Sequence, residues 1–274
     1  MPYDRSHPFS MRGTLSKITL QVICGCHITG FLMGASPQFA ASNHSLIPSA
    51  GGGLLATGAN TYGQLGIGDT FPRNVLRPVD FTGEVSGVWA GGGTSYLLRS
   101  DGTLHSCGTN SFGQAGQGSN ASDFTRFQQV GTDADWKQVS VGSTHVLGVK
   151  TDGSLWSWGY GSYGQLGHGS SSFKRTPTRI GTANDWLAVE AGYEHSLALK
   201  TTGTLWAWGN NGSGRLGDGT TTNRNLPIQV GTSNQWMAIS AGSGHSLALR
   251  MDGSLWAWGA NAGGQLGDST NETR

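Results

Sequence analysis

Short runs in which apolar and polar residues alternate recur along the chain and predict β-strands. Residues 196–199 and 205–208 alternate with a period of two, so that successive side chains point to opposite faces of a strand. Between them stands Thr202-Gly203, where other copies carry Asp-Gly, a tight hairpin turn whose glycine takes a positive φ. Short apolar runs at 186–189 and 226–230 add two strands, the second an edge strand because it contains Pro227. Four short strands in about 50 residues, without a helical period, are typical of one propeller blade.

The predicted strands belong to a repeat of nearly constant length. A Gly-Gln-Leu-Gly element or a degenerate copy begins at Gly63, Gly113, Gly164, Gly214 and Gly264, with spacings of 50, 51, 50 and 50 residues. A Trp-x-Trp-Gly strand and a Gly-x-x-His element keep the same register, at Trp156, Trp158, Trp206, Trp208, Trp256, Trp258, His145, His195 and His245. Self-similarity at such a period indicates an array of supersecondary units. The sequence therefore predicts an all-β fold, a β-propeller built of four-stranded blades.

The two faces of the third strand differ in size. Trp206 and Trp208 point one way, and Leu205 and Ala207 the other. Because blades stack sheet on sheet, both faces of an inner strand are buried. We expect the bulky Trp face to meet Ala, Ser and Gly of the neighbouring blade.

Composition narrows the class of protein further. Of 274 residues 46 are glycine and 10 are tryptophan, while charged residues are 12% and the net charge is +1. Abundant aromatics and balanced charge exclude charge-driven disorder, and few prolines exclude collagen. A near-neutral chain lacks the clustered cations that nucleic-acid binding needs. We expect no nucleic-acid partner and no membrane span.

The string Ala-Gly-x-x-His-Ser-Leu-Ala-Leu-(Lys/Arg)-x-x-Gly-(Thr/Ser)-Leu-Trp-Ala-Trp-Gly, at residues 191–209 and 241–259, resembles the regulator of chromosome condensation repeat family, in its bacterial, short-loop form. The resemblance covers about residues 52–274 and implies a seven-bladed propeller. Complete units are predicted at 84–131, 134–181 and 184–231, with partial units at 52–82 and 234–274. With about four and a half units, we interpret the chain as a fragment or partial array. It would be an open arc whose two apolar flanks are available for self-association.

The first 42 residues have the layout of a secretory signal. Arg12 and Lys17 precede an apolar stretch at 18–34, followed by small residues at 35–42. This order predicts export to the periplasm, the cell surface or the medium, and a cytoplasmic protein if the leader is not a signal. The start, Met1 or Met11, stays open. Of the three cysteines, Cys24 and Cys26 lie in this leader and Cys107 in the array, so no disulfide framework is predicted.

No set of residues in the repeats predicts chemistry. The histidines recur once per blade, far apart around a ring, so we interpret them as structural residues that bond the backbone at a strand start rather than as a metal or catalytic site. Single aspartates one blade apart cannot surround a calcium ion. His105 and Cys107 occupy two Trp positions, and two ligands are too few for zinc. We expect no catalytic residue, metal or cofactor, and no enzyme activity.

The loops between strands are the candidate binding positions. Residues there vary between copies while the strands stay fixed, as is typical of a binding face: Asn60, Tyr62, Asn110, Phe112, Tyr160, Tyr163, Asn210 and Asn211. The alternative is that these residues only pack the Gly-Gln-Leu-Gly loop. The resemblance implies a non-enzymatic module that binds a protein partner through these loops. Alternatives are a guanine nucleotide exchange factor for a small GTPase, for whose inserted wedge the uniform spacing leaves no room, and a secreted enzyme inhibitor.

Overall fold

The computed structural model describes residues 40–49, 52–119 and 123–274, and within them every regular element is a β-strand. The predicted leader, with Cys24 and Cys26, lies outside the described residues except for its last three. None of the described residues forms a helix able to cross a membrane. The strands are β1 (Ala40–Ala41), β2 (His44–Pro48), β3 (Leu54–Gly58), β4 (Arg73–Pro78), β5 (Val85–Gly91), β6 (Thr94–Arg99), β7 (Leu104–Thr109), β8 (Asp123–Gln129), β9 (Trp136–Val141), β10 (His145–Lys150), β11 (Leu155–Gly159), β12 (Lys174–Arg179), β13 (Trp186–Ala191), β14 (His195–Lys200), β15 (Leu205–Gly209), β16 (Arg224–Gln229), β17 (Trp236–Ala241), β18 (His245–Arg250) and β19 (Leu255–Gly259).

These strands form five antiparallel sheets, each a meander in which consecutive strands pair. Unit 1 is β1–β4, unit 2 is β5–β8, unit 3 is β9–β12, unit 4 is β13–β16 and unit 5 is β17–β19. The predicted all-β class and the four-stranded unit are confirmed. The Asp-Gly and Thr-Gly hairpins are confirmed too, because Gly102, Gly153, Gly203 and Gly253 have φ of 78–84°.

Unit 1 is larger than its predicted partial unit at 52–82. The sheet also contains β1 and β2, so unit 1 is a complete four-stranded unit that begins at Ala40. In β2, His44 pairs with Gly58, as His195 pairs with Gly209 in unit 4. The segment from His44 is thus another copy of the second strand, which the sequence pattern placed outside the array. Unit 5 has three strands, and backbone hydrogen bonds join Gly259 and Arg274 where the other units begin a fourth strand.

Successive units stack face to face and bury their apolar cores between sheets. Leu147 and Leu155 of unit 3 pack in one cluster with Trp208 of unit 4, and all three are fully buried. The predicted opposition of the two strand faces is correct, and glycine of the neighbouring unit does meet the Trp face, since a Cβ at Gly167 of unit 3 would lie 2.9 Å from Trp208 Nε1 of unit 4. Ala198 lies directly across from Trp206 in the same sheet. The small Ala198 leaves room for the Trp206 indole, and the neighbouring unit supplies leucines as well as glycine to the buried tryptophans.

The order of strands places the first strand of each unit on the inside. β5, β9, β13 and β17 contact one another in succession, and each also packs against the unit before it. The fourth strands β4, β8, β12 and β16 form the outer edges, where most side chains are exposed or half-buried. The loops between strands 1 and 2 and between strands 3 and 4 therefore open on one side of the array. The hairpins between strands 2 and 3 lie on the opposite side.

Candidate partner-binding face

The Gly-Gln-Leu-Gly loops have a common internal structure. In unit 1, Gly63 and Gly66 take φ of 78° and 70°, which an L side chain rarely adopts. The Gln64 side chain accepts a hydrogen bond from the Tyr62 amide at 3.0 Å, and the Asn60 side-chain oxygen accepts one from the Leu65 amide at 2.9 Å. The loop is thus held by its own side chains, which makes it a rigid platform.

Three predicted contact residues lie inside this platform. Asn60, Asn110 and Asn211 are fully buried, and each side-chain oxygen accepts a hydrogen bond from the backbone amide five residues later. As residues that face a partner they were predicted wrongly, because the loop itself occupies their polar atoms. A signal was present in the sequence, since asparagine stands three residues before the loop glycine in four of five copies. A residue that stays the same from copy to copy indicates a structural role in the loop.

Asn210 lies at the loop entrance and is also engaged. Its side-chain nitrogen donates a hydrogen bond to the Glu194 carboxylate at 2.9 Å, and its side-chain oxygen accepts one from the Gly212 backbone amide at 2.8 Å. The residue is half-buried. Asn210 is therefore a loop-connecting residue with limited capacity for a partner.

The aromatic candidates come together between units 2 and 3. Ring centroids of Phe112 and Tyr160 are 4.8 Å apart, and those of Tyr160 and Tyr163 are 6.3 Å apart. Phe173 completes the group, at 5.1 Å from Tyr160 and 5.6 Å from Phe112. We call these four residues the aromatic cluster. Tyr62, the remaining aromatic candidate, is exposed and lies beside Gly93.

The aromatic cluster keeps two of its rings in solvent. Tyr163 and Phe173 are 38% and 42% exposed, while Phe112 and Tyr160 are half-buried beneath them. Phe173 was missed at the level of sequence, because its segment before β12 varies between units and nothing in the local sequence pairs it with Phe112. Lys174 follows Phe173 directly, and Arg175 packs against Gly113 beside Phe112. The cluster is an apolar surface with Arg175 packed beside it and Lys174 next to it in the chain.

The histidines hold the units together, but through a serine side chain of the next unit rather than through the predicted contact with backbone. His145 Nε2 lies 3.0 Å from Ser196 Oγ of the next unit, and Ser196 donates to the Gln165 carbonyl at 2.8 Å. Because the hydroxyl hydrogen goes to that carbonyl, His145 Nε2 carries the proton that bonds the hydroxyl. We call this contact between units the histidine–serine clasp. It recurs between His44 Nε2 and Ser95 Oγ at 2.6 Å and between His195 Nε2 and Ser246 Oγ at 2.9 Å.

Burial keeps these histidines neutral. Desolvation lowers the pKa of His44 to about 4, and the pKa of His145 and His195 to about 3, from the ordinary value of 6.5. The His245 pKa is also lowered by desolvation, although this residue is only half-buried. A neutral imidazole enclosed between two sheets is a structural hydrogen-bond donor.

The tryptophans form two structural columns. Trp158 and Trp208 are fully buried, and Trp208 Nε1 donates to the Gln165 carbonyl at 2.8 Å, beside the serine of the clasp. The half-buried column packs edge to face with the tryptophans that begin the first strands. In units 3 and 4 the amino groups of Lys150 and Lys200 lie 4.6–5.0 Å from both indole rings, close enough for cation–π attraction. In unit 5 the Arg250 guanidinium takes that place.

His105 and Cys107 lie in separate surroundings. His105 packs edge to face on Phe81 at 5.2 Å, while Cys107 is fully buried and burial raises the pKa of its thiol. In the described part of the chain, no group of three or more His, Cys, Asp or Glu side chains could hold a metal ion.

Comparison with known proteins agrees with this architecture. Residues 152–199 and 202–249 match the model of the regulator of chromosome condensation (RCC1) repeat, and a second model of that description matches 136–165, 186–215 and 238–265. The chain is 34% identical to the ultraviolet-B receptor UVR8 of Arabidopsis thaliana over 143 residues, half of this chain and 32% of the receptor. The chain thus spans about a third of that relative.

Solved structures give the same fold. Human WBSCR16 superposes with a TM-score of 0.75 and 26% identity, over 85% of this chain and 63% of that one. Prp20p from Saccharomyces cerevisiae superposes with a TM-score of 0.67 and 22% identity, over 77% of this chain and 55% of Prp20p. The repeated sequence, the stacked meanders and these matches agree, and residues 136–265 of the chain consist of regulator of chromosome condensation (RCC1) repeats.

Proposed function

We propose that this chain is a non-enzymatic interaction module that binds a protein partner through its loop-bearing side. The observation that carries the proposal is the aromatic cluster, in which Tyr163 and Phe173 stay exposed on a rigid loop platform. Large aromatic side chains supply much of the binding energy at protein interfaces, because they bury wide apolar area with little entropy loss.

The surroundings of the cluster support a protein partner with an acidic contact segment. Lys174 follows Phe173 in the chain, Arg175 packs against Gly113 beside Phe112, and neither cation forms an ion pair in the described part of the chain. A partner carboxylate could pair with either cation at the rim while an apolar side chain covers the rings.

The relatives support protein binding as the class of function but do not identify the partner of this chain. Prp20p has binding properties towards Gsp1p and histones, and yeast RCC1 (Prp20) has been crystallised with Kap60 bound to it. Both show that this fold can present protein-binding surfaces. At 22% identity they support the fold alone, so the partner here is defined by the chemistry of the aromatic cluster.

The test is a pair of matched phenylalanine substitutions. Proteins captured by the wild-type chain are compared with those captured by Phe173→Ser and by Phe71→Ser, whose ring is 70% exposed before β4 of unit 1 and outside the cluster. For a partner retained by the wild type, Phe173→Ser should weaken affinity by roughly 30-fold, the effect of losing a hot-spot aromatic. Phe71→Ser should bind as the wild type. Equal loss in both variants, or full binding by Phe173→Ser, would place the partner site elsewhere.

Nucleotide release separates this proposal from the alternative of guanine nucleotide exchange. If the bound partner is a small GTPase, the wild-type chain should form a complex with it without speeding nucleotide release. Catalytic acceleration of release would make the chain an exchange factor and would replace the proposed function.

A further inference from the structure

The loop before the fourth strand contains an internal ion pair in unit 4. Asp218 Oδ2 lies 2.7 Å from a guanidinium nitrogen of Arg224, the first residue of β16, and its other oxygen accepts a hydrogen bond from the Asn211 side chain. The Asp218 side chain is only 6% exposed, so its carboxylate is part of the loop. Unit 1 has a similar pair, between Asp69 and Arg73 at the start of β4. The unit itself thus balances the charge of this cation.

Unit 3 has a different residue at each of the three positions. Gly161 replaces the asparagine, His168 replaces the aspartate, and Lys174 begins β12 in place of the arginine. His168 Nε2 lies 2.9 Å from Ser157 Oγ, and because that hydroxyl donates to the Leu166 carbonyl, the imidazole is the donor to it. Lys174 forms no ion pair and no side-chain hydrogen bond with the residues that the structure describes. This unit has therefore lost its internal counter-charge.

The same loop carries the exposed aromatic ring. Phe173 stands where unit 4 has Asn223, whose side-chain oxygen accepts a hydrogen bond from the Asn211 backbone amide. The Phe173 ring is 42% exposed. Unit 3 packs between units 2 and 4, so this exposure is not that of an uncovered flank. In unit 3, residues that satisfy the loop from within are thus replaced by an exposed ring and an unpaired cation.

We propose that Lys174 binds a carboxylate side chain of the protein partner, while an adjacent apolar side chain of the partner packs on Phe173. The inference rests on the proposed function, because it assigns the chemistry of the partner at the aromatic cluster. The partner supplies the counter-charge that Asp218 supplies in unit 4. Consecutive Cα atoms are about 3.8 Å apart, so both contacts fit one short segment of the partner.

The charge of the site favours a carboxylate over a phosphate group. One lysine balances the single charge of a carboxylate, whereas a phosphate monoester carries up to about two charges. Arg175 packs against Gly113 of unit 2, and its neighbour Lys174 lies close enough to His168 to act on it electrostatically. Desolvation and then the Lys174 charge lower the pKa of His168, so the imidazole adds no second positive charge at neutral pH.

The first experiment selects partner segments from a library of short random peptides displayed on phage. Peptides that bind the wild-type chain but not Phe173→Ser are retained. They should be enriched in Asp or Glu next to a large apolar residue. Retained peptides without this enrichment, or the absence of any retained peptide, overturn the inference. Neither result decides the proposed function, which is tested separately by the capture of a protein partner with Phe173→Ser and Phe71→Ser.

The second experiment locates the carboxylate with one retained peptide and a copy in which its acidic residue is replaced by the amide. On the wild-type chain the amide peptide should bind about fivefold more weakly, the effect of one exposed ion pair. On Lys174→Gln the two peptides should bind equally. The control is Lys137→Gln, whose lysine is exposed on β9, and which should keep the fivefold difference. A difference that persists in Lys174→Gln overturns the inference.

The third experiment returns a carboxylate to the loop. His168→Asp restores the acidic residue of unit 4, and His168→Asn is its uncharged reference, since both lose the hydrogen bond to Ser157. Circular dichroism checks that both variants fold. His168→Asp should bind the acidic peptide about fivefold more weakly than His168→Asn, because Lys174 is then neutralised from within. Equal binding of the acidic peptide by the two folded variants contradicts the proposed role of Lys174.

Discussion

At the scale of single residues, the most informative group is the buried histidine. A repeated Gly-x-x-His element could be a row of ligands, but the imidazoles of His44, His145 and His195 each face a serine of the neighbouring sheet, where the Nε2 proton is engaged. The Nδ1 atoms of His44, His145 and His195 are buried without a partner. A protonated ring would place a charge in this apolar surrounding, and that is the physical cause of the lowered pKa values.

The histidines predict that acid weakens the fold. Between pH 6.5 and about 3 the unfolded chain binds protons at His195 that the folded chain refuses, so the free energy of unfolding falls as the pH falls. From pH 7 to pH 5 one such histidine accounts for about 2 kcal/mol. In urea titrations at both pH values, His195→Gln should be less stable than the wild type at pH 7. It should then lose about 2 kcal/mol less on acidification. An equal loss in both proteins would show that His195 titrates normally in the folded state.

At the scale of elements, the loop before the fourth strand is held by a defined set of hydrogen bonds, as the strands are. In unit 4 the side-chain nitrogen of Asn211 donates hydrogen bonds to the Asp218 carboxylate and to the backbone carbonyls of Thr220 and Thr222, at 2.9–3.1 Å. One buried side chain thus ties the loop together at both ends. From the sequence it stayed open whether such residues bind a partner or pack the loop, and burial decides for packing.

Neighbouring asparagines give a matched test of this loop. Asn211→Ala leaves buried backbone groups without a partner and should lower the free energy of unfolding by about 1–3 kcal/mol. Asn210→Ala affects a half-buried residue and should cost about 1 kcal/mol or less. Chemical denaturation of the two variants measures the difference. Equal stabilities would show that the buried asparagine does not hold the loop.

The strands also show how much of the secondary structure local sequence predicts. The run at 186–189 and the alternation at 205–208 correctly predicted β13 and β15. The first two strands of unit 1 were missed, because His44 to Pro48 follows small residues that are typical of a signal cleavage region. Its pairing with β3 is a contact with residues further along the chain, which a local pattern does not contain.

At the scale of the whole molecule, stability depends on neighbours. Each unit buries its apolar faces only against the unit beside it, as in other repeat proteins, so stability is close to a sum of unit and interface contributions. Unit 5 has a neighbour on one side, and its Trp256 is 37% exposed. Unit 5 should therefore be protected less well than unit 4, whose two faces are both covered.

Two nearly identical segments allow a direct test of this gradient. Residues 245–259 and 195–209 share the sequences His-Ser-Leu-Ala-Leu and Leu-Trp-Ala-Trp-Gly, so their intrinsic amide exchange rates are closely similar. In hydrogen–deuterium exchange at low protein concentration, β18 and β19 should exchange faster than β14 and β15. Equal protection would mean that the outer flank of unit 5 is covered in the monomer.

The sequence by itself determined the β class, the repeat, its register and the opposition of the Trp and Leu faces, because strand period and turn chemistry are local. Only the tertiary structure decided the start of unit 1, the burial of Asn60, Asn110 and Asn211, and the meeting of Phe173 with Phe112. The first two depend on how a strand pairs and a loop folds within one unit, and the third on a contact between units, because only folding decides which polar groups are enclosed and which rings meet.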